Sequence, residues 1–149
     1  MSGIFFDTSA IVKHYNPELG TARVDSLLDM GNTIISRLTI VEFHSSLTKK
    51  VRMGHLTSDE FQIASRIFRD DISAKRLNVV RLKIAHYESA VRLIRRIGPI
   101  RNLRTLDALQ LSVVLSLNEP VRPVEFVCAD QALCEIASSE GLTVVNPEL

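Results

Sequence analysis

Residues 3–15, GIFFDTSAIVKHY, restrict the fold more than any other stretch of this 149-residue chain. A short apolar run, Ile4-Phe5-Phe6, meets an acid, Asp7, and passes through Thr8 and Ser9 into the helical pattern opened by Ala10-Ile11-Val12. A strand that ends in an acid and turns at once into a helix places that carboxylate at the carboxyl edge of a sheet. In open α/β sheets that edge is where ligands bind. Taken alone, Asp7 reads first as a helix N-cap, because Asp, Ser and Thr satisfy the free amides of a helix start.

The remaining chain repeats the alternation. Apolar runs at 33–36, 78–82, 125–129 and 143–145 have strand character. Helical spacing predicts helices at 9–15, 21–30, 38–53, 58–75, 85–97, 105–117 and 130–139. Thr57 with Glu60 three residues on forms a capping box for the fourth of these, and Gly54, Gly98-Pro99 and Gly141 act as stops. Short apolar strands between helices predict a parallel sheet covered on both faces. Two helices follow one another across 38–75 without an intervening strand, which predicts a helical arm leaning off the sheet. No repeat, low-complexity tract or linker interrupts the pattern, so the expectation is one domain spanning 1–149.

Composition narrows the class. With 46% hydrophobic and 23% charged residues the chain has an ordinary globular balance, and no apolar run approaches the ~20 residues of a membrane span. Met1-Ser2-Gly3 carries no basic-then-apolar leader, so the expected location is the cytoplasm. Cys128 and Cys134 read as buried thiols in a reducing compartment. The four histidines lack zinc-ligand spacing and read as surface or boundary residues. The net charge of +1 conceals an asymmetry: residues 44–104 hold 14 of the 18 Lys and Arg against five acids, leaving this middle at +9 and the two ends together at −8. A basic middle beside acidic ends suits a protein that holds cations at one place and a polyanion nearby, although any single base is as well explained as part of a solvated helix face.

Four acids occupy positions where acids are disfavoured. Asp7 and Asp130 each end an apolar strand and begin a helix. Glu42 lies between Val41 and Phe43 near the start of the long helix, and Asp107 interrupts the apolar stripe formed by Leu103, Leu111 and Val114. Caps would explain the first pair, and local bases such as Arg104 would explain Asp107. In a doubly wound sheet, however, strand ends and helix starts fall on one edge. Carboxylates meeting there repel one another unless a cation or shared protons intervene. All-oxygen ligands without His or Cys suit a hard ion such as Mg²⁺ or Mn²⁺, and a metal-activated water attacks phosphodiesters.

Four segments in this order, FFDTSAIVKHY, ISRLTIVEFHSSL, LRTLDALQLSVVL and FVCADQALCEIASSEGLTVVNP, resemble the PIN domain family over essentially the whole chain. The likeness is greatest to its VapC-like toxins of toxin–antitoxin pairs. The resemblance implies an α/β/α fold with a parallel sheet of about five strands and a protruding helical pair. It implies an endoribonuclease dependent on Mg²⁺ or Mn²⁺, with Asp7 and Asp107 as principal metal ligands. Glu42 and Asp130 would complete the set directly or through water, and Thr8, Ser9 and Arg104 would orient the site and meet substrate. A homodimer and a small antitoxin that blocks the site are implied as partners, and the apolar content of the arm of residues 38–68 points to it as the partner surface. The other readings are a nuclease of the same family in RNA or DNA processing, a binding module that keeps the pocket without cleaving, and a phosphatase-like domain using Asp7 as nucleophile. The last would want a second Asp two residues on, where Ser9 stands.

Overall fold

The structure of the protein, a computed structural model, describes residues 3–149; the leader reading of Met1 and Ser2 lies outside them. In chain order the elements are β1 (Gly3–Phe6), α1 (Thr8–Tyr15), α2 (Thr21–Asp29), β2 (Thr33–Ser36), α3 (Arg37–Arg52), α4 (Ser58–Ser73), β3 (Asn78–Val80), α5 (Ile84–Ile97), α6 (Thr105–Leu117), β4 (Val124–Val127), α7 (Gln131–Ser139) and β5 (Thr143–Val145). The strands form one all-parallel sheet in the order β3-β2-β1-β4-β5. The order reverses at β1, which has β2 on one side and β4 on the other.

Every residue of β1 is buried, as a central strand covered on both faces requires. Alternation along the strand separates two cores. Phe5 packs with Phe126, Leu111 and the inner residues of α5, α6 and α7. Ile4 and Phe6 pack on the opposite face with residues of α1, α3 and α4. Helix α6 is buried nearly all round, from Ala108 to Val114. It therefore shows little of the one-sided pattern expected of a surface helix.

Helices α3 and α4 are the expected consecutive pair. Their inner sides join through Phe43 and Phe68, stacked with ring centroids 3.9 Å apart. Tyr15 of α1 stands edge-on to both rings, and its hydroxyl donates to Asp71 Oδ2 at 2.7 Å. Val41, Met53, Ile63 and Ile67 of this pair remain exposed. The capping box is present: Thr57 Oγ1 accepts from the Glu60 amide at 3.1 Å, and Glu60 Oε1 accepts from the Thr57 amide at 3.0 Å.

Two strands are shorter than the sequence pattern suggests. β3 stops at Val80 because its ladder partner Ser36 is the last residue of β2 before the chain coils into α3. β4 stops at Val127, and the Ala129 amide is taken by the Ser9 hydroxyl at 3.0 Å instead of by a neighbouring strand. His86 is buried rather than at the boundary. It accepts from the Lys83 amide at Nδ1 (2.9 Å), and its Nε2 lies 3.1 Å from Ser116 Oγ. Burial, with nearby Lys83, holds its pKa below the ordinary histidine value. Both cysteines are buried free thiols, as expected. Among the described residues no helix is long and apolar enough to cross a membrane.

Candidate active site

The carboxyl edge of the sheet opens into a cavity of about 760 Å³, and every site residue expected from the sequence lines it: Asp7, Thr8, Ser9, Glu42, Arg104, Asp107 and Asp130. They come from four places in the chain. Asp7 follows β1 as the cap of α1, Glu42 lies in the second turn of α3, Asp107 lies in the first turn of α6, and Asp130 follows β4 as the cap of α7. Since β1 and β4 are neighbours with crossovers leaving in opposite directions, Asp7 and Asp130 flank the topological switch point of the sheet.

Each carboxylate is fixed by its local structure. Asp7 Oδ2 accepts from the Ser9 amide at 3.1 Å and the Ser9 hydroxyl at 2.6 Å. Because the same hydroxyl accepts from the Ala129 amide, Ser9 ties the start of α1 to the loop that carries Asp130. Asp7 Oδ1 accepts no hydrogen bond among the described residues. Glu42 Oε1 accepts from Thr8 Oγ1 and Gln110 Nε2, both at 2.9 Å, and its Oε2 likewise accepts none. Asp130 Oδ1 caps α7 through the Leu133 amide at 3.2 Å. Arg104, 71% exposed, reaches both remaining acids: its Nε is 3.6 Å from Asp107 Oδ2 and its Nη2 is 3.9 Å from Asp130 Oδ2. The cap reading of Asp7 and Asp130 and the local-base reading of Asp107 are therefore all realised, and they coexist with convergence on one cavity.

The electrostatics follow from burial and crowding. Desolvation is the largest influence on Asp7 and raises its pKa to about 6 against the opposing hydrogen bonds of Ser9, with Glu42 and Asp107 adding repulsion. Burial also raises Glu42, opposed by Thr8 and Gln110 and reinforced by Asp107. Asp107 is raised by burial, opposed by Arg104 and reinforced by Asp130. One buried and two half-buried acids that disfavour their own charged state form a site that a cation would stabilise.

The donor chemistry fits a hard divalent ion: carboxylate oxygens and hydroxyls line the cavity, with no His and no Cys. Among the described residues no three acid, His or Cys groups gather closely enough to hold a metal ion; the four acids share the lining of one cavity.

The motif reading missed the layer beneath the acids. Gln110, 1% exposed, donates from Nε2 to Thr39 Oγ1 at 2.8 Å as well as to Glu42, while its Oε1 accepts from Ser36 Oγ at 2.7 Å. Its signal was present, since it is an amide three residues after Asp107 in a mostly apolar helix. Lys49 and Arg52 also line the cavity. Their signal was helical spacing from Glu42.

No curated protein gives a sequence match. The family described as PIN domain matches residues 4–138. Among solved structures, a chain of a toxin–antitoxin complex from Klebsiella pneumoniae aligns with a TM-score of 0.62 at 16% identity, over 97% of this chain and 98% of that one. FitAcB from Neisseria gonorrhoeae aligns with a TM-score of 0.59 at 15% identity, over 97% of each chain. At these identities the likeness to the solved structures is one of fold.

Proposed function

The chain belongs to the PIN domain family, and from that premise we propose that it is a metal-dependent endoribonuclease acting as the toxin of a toxin–antitoxin pair. The observation that carries the reading is the meeting of Asp7, Glu42, Asp107 and Asp130 in one cavity, three of them with raised pKa values. Mg²⁺ or Mn²⁺ held by Asp7 and Asp107, with Glu42 and Asp130 completing the set, would polarise the scissile phosphate and lower the pKa of the attacking water.

The protein's own groups have separable tasks. Ser9 holds Asp7 by one oxygen and leaves the other for the cavity. Thr8 and Gln110 hold Glu42 in the same way. Arg104 stands beside two acids with most of its surface free, suited to pair with a substrate phosphate. The basic middle of the chain supplies further phosphate contacts, which give affinity without reading sequence.

Hydrolysis by activated water leaves a 5′-phosphate and a 3′-hydroxyl. The test is incubation of total cellular RNA with the protein in Mn²⁺, Mg²⁺ or EDTA, followed by mapping of the ends. Metal-dependent cuts with those ends support the proposal, and a 2′,3′-cyclic phosphate contradicts the mechanism. The toxin role draws on the fold shared with the Klebsiella complex. It predicts growth arrest on expression, relieved by a neighbouring gene product. Arrest-free expression of a protein that cleaves RNA would assign it to RNA processing instead. The exposed Val41, Met53, Ile63 and Ile67 of the helical pair are the proposed partner surface, and a homodimer is expected by light scattering at micromolar concentration.

A further inference from the structure

We propose that the RNA strand leaves the acid cluster along α3, with its phosphates held by Lys49 and Arg52; this rests on the nuclease reading and adds the path of the substrate. Both cations line the same cavity as the four acids, together with Ser45 and Ser46. At 3.6 residues per turn, Glu42, Ser45, Ser46, Lys49 and Arg52 fall on one face of α3. At 1.5 Å per residue the two cations stand roughly 10 and 15 Å beyond Glu42 along the axis.

The partition of charge on α3 supports the assignment. Lys49, Lys50 and Arg52 all sit in the last turn, where bases complement the helix dipole. That accounts for their presence but not for where they point. Lys50 turns to Glu18 at 3.2 Å. Lys49 and Arg52 are exposed and, among the described residues, form no ion pair. Within the last turn of α3, the two cations without an ion pair are the two that line the acids' cavity.

An acid-lined floor repels a polyanion, so an approaching strand needs cations beyond the acids as well as beside them. Arg104 serves beside them, and α3 carries the others. With a scissile phosphate at the acids, the distance to Lys49 and Arg52 corresponds to roughly three to four nucleotides of stacked strand at ~3.4 Å each. A dinucleotide would fill only the acid end, whereas a longer strand engages both.

Because phosphate contacts are independent of sequence, the test needs no known target. Fluorescein-labelled random 20-nucleotide RNA is titrated with protein in EDTA at several KCl concentrations, for wild type, Lys49→Ala/Arg52→Ala and Arg92→Ala/Arg95→Ala. Arg92 and Arg95 are exposed on α5 and do not line the cavity, so that pair controls for charge alone. The folded state of each variant is checked by its thermal melt. The expected result is a salt dependence shallower by about 1.4 in log–log slope for the Lys49/Arg52 variant, from ~0.7 per phosphate contact on a single strand, with the control unchanged. An unchanged slope in the Lys49/Arg52 variant, while wild type cleaves RNA in Mn²⁺, overturns the path and leaves the nuclease reading intact. Wild type that neither cleaves RNA nor binds the pool overturns both readings.

Discussion

Asp7 divides its two oxygens between structure and site: Oδ2 caps α1 through Ser9, and Oδ1 is left to the cavity. The cap was readable from DTS after an apolar run, and so was the position at the sheet edge. What the sequence alone did not carry was the burial, to which Cys128, its Sγ 3.9 Å from Asp7 Oδ2, is brought from a distant segment. Burial has a consequence for stability. A carboxyl whose pKa rises from 3.8 unfolded to about 6 folded binds the extra proton in the native state between those values. Stability therefore falls as pH rises through that window, by up to about 3 kcal/mol at 1.36 kcal/mol per unit. In EDTA, Asp7→Asn is expected to melt higher than wild type near neutral pH, with the difference closing near pH 4. Asn retains the capping ability, so an equal or lower midpoint at neutral pH would show that burial of this charge costs little. Mn²⁺ is the complementary probe. It is expected to raise the wild-type midpoint, by about 2.7 kcal/mol in stability at a hundred times the dissociation constant, and to leave Asp7→Asn unmoved. A wild-type melt indifferent to millimolar Mn²⁺ would contradict the ion site.

Helices α3 and α6 meet beneath the site through a polar join. Gln110 of α6 bridges Ser36, Thr39 and Glu42, at the end of β2 and in the first turns of α3. The extent of α6 was legible from its apolar run between Arg104 and Asn118, and the extent of α3 from Gly54. The bridge was not, because an amide in an apolar helix names no partner until the helices are docked. Removing it leaves Thr39 and one oxygen of Glu42 short of a donor in a buried setting. Gln110→Leu is expected to lower stability by about 1–3 kcal/mol and to reduce cleavage, while the salt dependence of RNA binding stays at the wild-type slope. Wild-type cleavage in a folded Gln110→Leu protein would remove the bridge from the account of the site. The short ends of β3 and β4 have the same origin: each stops where its ladder partner becomes helix or its amide is claimed by a side chain.

Across the whole molecule, the class of fold was legible and the strand order was not. Alternating apolar strands and helices imply a covered parallel sheet, and right-handed crossovers put strand ends and helix starts on one edge. That is why four acids scattered from residue 7 to residue 130 could be expected to meet before their neighbours were known. The order β3-β2-β1-β4-β5 is a choice among topologies that share this pattern, and only the packing of Phe5 with Phe126 and of Ile4 with Ile35 resolves it. Charge follows the same division. The excess of bases in residues 44–104 was countable, but the turning of Lys50 to Glu18 while Lys49 and Arg52 face the cavity appears only in three dimensions. Whether these converged carboxylates cut RNA is decided by comparing wild type with Asp107→Asn on total cellular RNA in Mn²⁺, both proteins first shown to be folded. Wild type is expected to make cuts that are absent with Asp107→Asn and in EDTA; equal cutting by the two proteins would place cleavage elsewhere than at these carboxylates.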